Sequence, residues 1–446
     1  SFRRTAVGRR IVVFLFRPTS HTARMSSIAY RENELYCEDV PVRELAEEYG
    51  TPLYVYSKNR ILINYRAIAE TLEGLDGLVC YALKANSNPS ILKMLVEAGA
   101  GADVVSAGEV FLALKAGFAP ERMAFAGVGK REDELAYALD QGVRLFNVES
   151  VAELQLLSLV ALRRNLTARI SLRINPDIDA QSHPYITTGL PGNKFGIEAA
   201  QAPQVYALAA TLPGIDVAGV HLHIGSQITK AEPFLASANF LALFVPKMRQ
   251  AGIALRHIDF GGGFGVRYHN ALRHEALPSE ESGQDTVASP AEILTQVRHI
   301  LEPLGGSLWL EPGRSIVADA GMLLTRVLYL KENSVKKFVI VDAAMTDLLR
   351  PSLYNAHHQV VPALISTYEH EVVDVVGPVC ETGDFMARDR LINRAAHGDL
   401  LAILTTGAYG FVNTSRYNAR PRPAEVLVNG DRVRLVRPRE TLEDLL

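Results

Sequence analysis

Eight short apolar runs, with helical patterns between them, constrain this chain more than any other feature in it. They are "LVCYAL" (78–83), "GADVV" (101–105), "MAFAG" (123–127), "LFNV" (145–148), "ARISLRI" (168–174), "VAGVHLHI" (217–224), "LRHIDF" (255–260) and "SLWL" (307–310). Runs of this length bounded by turn residues read as buried strands. The first four recur about every 22 residues, and the segments between them, such as "SAGEVFLALKAG" and "REDELAYALDQG", place apolar residues at three- and four-residue spacing with Gly near their ends. Eight such units predict an α/β fold, a parallel TIM-like (β/α)8 barrel.

A barrel of this kind carries its active site where its strands end. Lys84 ends strand one, Asp103 and Ser106 follow strand two, and Asn147 and Glu149 follow strand four. Arg173 and Asn175 close strand five, His223 and Ser226 strand six, Gly261, Gly262 and Gly263 strand seven, and Glu311 and Arg314 strand eight. Turn residues alone would supply far fewer polar ends. A lone lysine after a buried strand ordinarily lays its stem on the core and its ammonium in water; in this company Lys84 reads as catalytic. The loops after strands seven and eight, the usual phosphate site of the fold, read "GGGFG" and "EPGR". Consecutive glycines let backbone N–H groups approach an anion, and Arg314 can add a bidentate contact. A lysine beside a bound phosphate points to pyridoxal 5'-phosphate held as a Schiff base.

The pattern changes beyond about residue 315, where "GMLLTRVLYLKEN", "KKFVIVDAAM", "HEVVDVVGP", "DLLAILTTGAYG" and "AEVLVNGDRVRLVR" follow one another without regular helices. The expected organisation is a barrel over 57–315 and a mostly antiparallel C-terminal β domain over 316–446, with the segment 25–56 packing against that domain. Residues 1–24 hold six arginines and no acid. They read as a disordered or non-native extension ahead of a start at Met25, with a twin-arginine export signal at Arg9-Arg10 as the alternative. Segment 270–290 is rich in Ser, Glu, Gly and Pro and reads as a mobile loop.

A formal charge of −3 shows no basic excess, which argues against nucleic acid or an anionic membrane as a main partner. Cys37, Cys80 and Cys380 are too scattered for a disulfide framework, and no Cys/His spacing suggests a metal site. A reducing cytoplasm is the expected location.

The motifs "YALKAN", "GADVVSAGE", "HLHIGSQ", "DFGGGFG", "EPGRSIV", "RPSLYNAHH", "GPVCETGD" and "GAYG" occur in this order along the chain. With them the sequence resembles the fold-type III pyridoxal-phosphate decarboxylases, and among these the diaminopimelate decarboxylase family, over nearly all of 25–446. Thr382 stands where that family more often has Ser. The resemblance implies decarboxylation of meso-2,6-diaminopimelate to L-lysine and CO2, the last step of lysine biosynthesis. It implies that Lys84 carries the cofactor in a site that includes Asp103, that His223 stacks on the ring, and that Ser226, Gly261 to Gly263, Gly313 and Arg314 hold the phosphate. Glu311 would partner the pyridine nitrogen; a carboxylate there makes the ring a strong electron sink and argues against racemization. Arg314, Arg350 and Tyr354 would receive the distal carboxylate, Glu381 the distal ammonium, and Tyr409 both cofactor and substrate. Cys380 would be the proton donor, residues 182–196 a lid, and the enzyme a homodimer with shared active sites. Two rivals stay open at this point: a decarboxylase for another basic amino acid or a carboxy-polyamine, and a non-catalytic pyridoxal-phosphate carrier, which could dispense with Cys380.

Overall fold

The computed structural model describes residues 27–179, 188, 193–279 and 286–446. The expected extension over 1–24 lies outside these residues, as do most of the expected lid over 182–196 and positions 280–285 of the 270–290 loop.

Eight parallel strands close into a barrel, as the rhythm of apolar runs predicts. In chain order they are Gly77–Ala82, Gly101–Val104, Met123–Phe125, Leu145–Val148, Ala168–Asn175, Ile215–His221, His257–Asp259 and Ser307–Leu310. Closure comes from the pairing of strand eight with strand one, Leu310 opposite Val79. Strand six begins and ends earlier than its apolar run, and its register with strand five slips between Val217 and Gly219. At Gly219 a Cβ would lie 2.2 Å from the His257 carbonyl oxygen, so this crossing tolerates only glycine.

Two of the helices between strands start on serine caps that stand at strand ends. Ser106 accepts from Glu109 N ahead of Ala107–Ala116, and Ser150 accepts from Glu153 N ahead of Val151–Arg163. Ser106 is therefore occupied with its helix.

The second sheet is built around the long strand Gly321–Glu332, which pairs antiparallel with Lys337–Val341, Leu400–Leu404 and Leu53–Ser57. Leu53–Ser57 precedes the barrel in sequence, yet it lies between Gly321–Glu332 and Ala424–Asn429, the latter pairing with it in parallel. All five of its residues are fully buried. Most remaining pairings in this sheet are antiparallel, with His370–Val376 running parallel to Lys337–Val341.

Three hydrogen bonds tie this domain to the loop that carries Lys84. Tyr409 N donates to Ala85 O at 2.8 Å, Asn86 Nδ2 donates to Gly407 O at 3.0 Å, and Asn88 Nδ2 donates to Glu425. Tyr409 adopts a left-handed backbone (φ 56°) to make its contact.

Candidate active site

A cavity of about 440 Å³, the size of a small-molecule site, opens where the barrel strands end. Lys84, His223, Ser226, Gly263, Glu311 and Gly313 line it from the barrel, together with Arg314. Arg350, Tyr354 and Tyr409 line it from the β domain. The structure thus gathers onto one surface residues that span more than three hundred positions of sequence.

Lys84 sits in a short turn, Leu83–Ala85, just past strand one. Its Nζ donates to Asp103 Oδ2 at 2.7 Å, and Asp103 is fully buried beneath it. Burial alone would depress the amine, which is the expected way to prepare it for covalent chemistry. Here Asp103 and Glu311 outweigh burial and raise it above the usual lysine value. The lysine is thus held as an ammonium by its ion pair, and desolvation does not set its charge. Asp103 does not itself line the cavity; it acts on Lys84.

Glu311 is the hub of a buried polar cluster. Asn147 Nδ2 donates to both Glu311 Oε1 (3.1 Å) and Asp259 Oδ2 (2.9 Å), and His221 Nε2 lies 3.2 Å from Glu311 Oε2. Two carboxyls this close cannot both be charged at low cost. Burial and Glu311 push Asp259 far above the usual range. Glu311 moves the other way, because His221 and Lys84 overcome the burial that opposes its charge. One proton therefore resides on Asp259 and the negative charge on Glu311, the member that faces the cavity.

His223 Nδ1 accepts from Gly262 N at 3.3 Å. Burial, with Arg173 and Lys84 nearby, holds its pKa well below the usual value, so it presents a neutral ring. Gly261 and Gly262 have a packing reason to be glycine. A Cβ would fall 2.2 Å from Leu222 O at Gly261 (φ 71°) and 2.1 Å from Glu311 O at Gly262. Of the three glycines only Gly263 reaches the cavity.

Arg314 is buried. Its Nη1 donates to Tyr268 Oη at 2.6 Å and its Nη2 to Ser226 Oγ at 3.0 Å, while Nε has no partner among the described residues. The Arg350 guanidinium carbon lies 4.7 Å from the Tyr268 ring centroid, so one tyrosine carries both arginines. Burial pushes the Tyr268 phenol up, but Arg314 and Arg350 together bring it below its usual value.

These residues fit pyridoxal phosphate. Ser226, the backbone at Gly263 and Gly313 and the unpartnered Arg314 Nε–H form a donor set suited to a phosphate, Lys84 provides the amine, and ionised Glu311 provides an anion for a ring nitrogen.

Cys380 and Glu381 stand apart. Both are exposed on the β domain and neither lines the cavity of its own chain. Glu381 instead accepts from Tyr417 Oη. Glu149 and Arg173, singled out at the strand ends, form a buried ion pair of 2.9 Å behind the site. His221, Asp259 and Tyr268 escape the sequence argument although each lies in or beside a quoted motif: "HLHIGSQ", "DFGGGFG" and the residues that follow it. Of the expected lid, Thr188 and 193–196 are described; Thr188 lines the cavity and donates to His223 O at 2.7 Å.

A family model for the pyridoxal binding domain of pyridoxal-dependent decarboxylases matches residues 58–318. The diaminopimelate decarboxylase of Pseudomonas aeruginosa is 48% identical over 421 residues, spanning 94% of this chain and 98% of its own. The structure of diaminopimelate decarboxylase from Helicobacter pylori complexed with L-lysine aligns with a TM-score of 0.83 at 42% identity, covering 91% of this chain and 98% of that one. The M. jannaschii diaminopimelate decarboxylase in co-complex with L-lysine aligns with a TM-score of 0.86 at 35% identity, covering 94% and 96%.

Proposed function

The chain belongs to the diaminopimelate decarboxylase family of pyridoxal-dependent decarboxylases, and on that premise we propose how its own residues carry the reaction. The reaction is decarboxylation of meso-2,6-diaminopimelate to L-lysine and CO2, the last step of lysine biosynthesis, with pyridoxal phosphate as cofactor. When bound, the cofactor supplies an electron sink for the pair left on the α-carbon as CO2 departs.

Lys84 would hold the cofactor covalently, with Asp103 keeping the amine in place. Ser226, Arg314, Gly263 and Gly313 would hold its phosphate, and His223 would pack its neutral ring against the cofactor. Glu311 would keep a proton on the ring nitrogen; the cluster behind it stores negative charge there at the expense of Asp259. Arg350 and Tyr354, with Arg314, would receive the distal carboxylate, and Tyr409 would touch cofactor and substrate together.

The observation that carries the substrate assignment is the pair of buried guanidinium groups, Arg314 and Arg350, held on Tyr268 at the cavity wall. Among the described residues neither guanidinium has a carboxylate partner, and buried cations so placed favour an anionic ligand. A substrate such as ornithine, with no distal carboxylate, leaves Arg350 unanswered.

The placement of Cys380 and Glu381 outside their own cavity supports a homodimer with shared sites. In it the partner's Cys380 delivers the proton to the α-carbon and the partner's Glu381 meets the distal ammonium. We also place the enzyme in the cytoplasm: its three cysteines are free, and no helix among the described residues is long and apolar enough to cross a membrane. Incubating the purified holoenzyme separately with meso-diaminopimelate, ornithine and arginine, while measuring CO2 and amine product, tests the whole reading. Only the first should be turned over efficiently.

A further inference from the structure

Arg350 is buried, and its guanidinium is held by two neighbours. Tyr268 sets the plane of the group from 4.7 Å. His358 sets its rotation, since Arg350 Nη1 donates to His358 Nε2 at 2.9 Å. His358 is itself pinned, with Nδ1 donating to Leu404 O at 2.9 Å and its ring edge-on to Tyr268, centroids 5.1 Å apart. An imidazole that spends its Nδ1 proton on a carbonyl offers Nε2 as an acceptor, and guanidinium is obliged to find one. Burial and Arg350 hold the His358 pKa well below the usual value, which keeps that acceptor available. His358 is fully buried and does not line the cavity. It can act on a ligand only through the cavity-lining residues it touches, Arg350 by a hydrogen bond and Tyr268 by ring packing.

We propose that His358 is a positioning residue for substrate selection: it fixes which N–H groups of Arg350 are left for the cavity, and so enforces the requirement for a carboxylate distal to the reacting carbon. The chain of contacts runs from the Leu404 carbonyl, at the end of strand Leu400–Leu404, through the imidazole to the guanidinium. The strand end is buried and paired with Gly321–Glu332, so a single tautomer can relay its position to the guanidinium. This rests on the reading of Arg350 as the partner of the distal carboxylate.

L-lysine and 1,5-diaminopentane separate the two questions, because they differ only by that carboxylate. In His358→Asn the amide can still donate to Leu404 O but is too short to reach Arg350. In His358→Gln the longer amide offers an oxygen near the position of Nε2. With the holoenzyme, His358→Asn should raise KM for meso-diaminopimelate and the inhibition constant of L-lysine each about tenfold. It should leave kcat within about twofold and diaminopentane inhibition unchanged. His358→Gln should keep the wild-type ratio of lysine to diaminopentane affinity. Arg350→Ala serves as the reference. If Arg350→Ala removes the preference for lysine and folded His358→Asn does not, the proposal is overturned while the Arg350 reading stands. If Arg350→Ala also keeps the preference, the Arg350 reading fails and the proposal falls with it. Equal weakening of both ligands in either His358 variant would mark a purely structural role and overturn it too.

Discussion

Glu311 Oε2 lies 3.2 Å from His221 Nε2 in the interior of the barrel, and this contact helps keep the carboxylate ionised while Asp259 retains the proton. An ionised group at this depth is costly unless it has work to do against a cationic partner. Glu311→Gln keeps the shape and removes the charge. The expected result is a fall in kcat of about 10²–10³, the scale for losing one preorganised electrostatic partner, with bound cofactor retained. Steady-state CO2 release and cofactor content measured on the same sample decide it; a loss under tenfold would deny Glu311 its role.

Lys84→Ala should abolish turnover and the visible absorbance of a lysine-bound cofactor, while the fold persists, since its side chain faces the cavity and anchors no core packing. A spectrum with the band intact in folded protein would contradict the assignment. Asp103 then becomes a buried carboxyl without its cation, so its own pKa should climb further.

Subunit sharing predicts complementation. Lys84→Ala and Cys380→Ala chains should each be nearly inactive, but random exchange makes half the dimers mixed, each with one complete site. Activity should recover to roughly a quarter of wild type by this symmetry. Demonstrated exchange with no recovery would place Cys380 outside the partner's site.

Asp347 gives a pH signature away from the chemistry. Burial pushes its carboxyl up to about 7, against the pull of the Ala344 N–H it accepts at 2.8 Å. A carboxyl raised on folding contributes stability that is full below its unfolded value, about 4, and is lost as pH rises through the folded one. Asp347→Asn keeps the acceptor and never ionises. It should therefore melt higher than wild type at pH 8, by roughly 2 °C or more, with the gap closing toward pH 5. Thermal unfolding at the two pH values checks the sign.

The barrel was legible because strands buried on both sides are written as continuous apolar runs, and no tertiary contact is needed to recognise them. Lys84, His223, Glu311 and Arg314 were legible because they stand at strand ends, where such a fold has little structural use for them. The cluster behind Glu311 was not. Asp259 and His221 both lie inside runs that read as buried strands, 255–260 and 217–224, where a polar residue carries no signal; only closure of the barrel sets them near Asn147 and Glu311. Tyr268 was hidden for the same reason, meaning nothing until Arg350 arrives from the other domain, and His358, though only eight residues from Arg350, gains a role only when the chain turns its imidazole back onto the guanidinium. The charge of Lys84 is not legible from its place at a strand end, because burial is local while its counter-ion, Asp103, comes from the next strand.

The position of Leu53–Ser57 bears on how this protein is made. A ribosome releases this fully buried strand before the barrel, yet both of its sheet neighbours, around Leu323 and Glu425, emerge only after the barrel is complete. Until translation nears its end the strand has no ladder to join, so its apolar edge must be shielded by other means. The same geometry limits dissection of the gene: the β domain expressed from residue 316 onward would lack an inner strand of its own sheet.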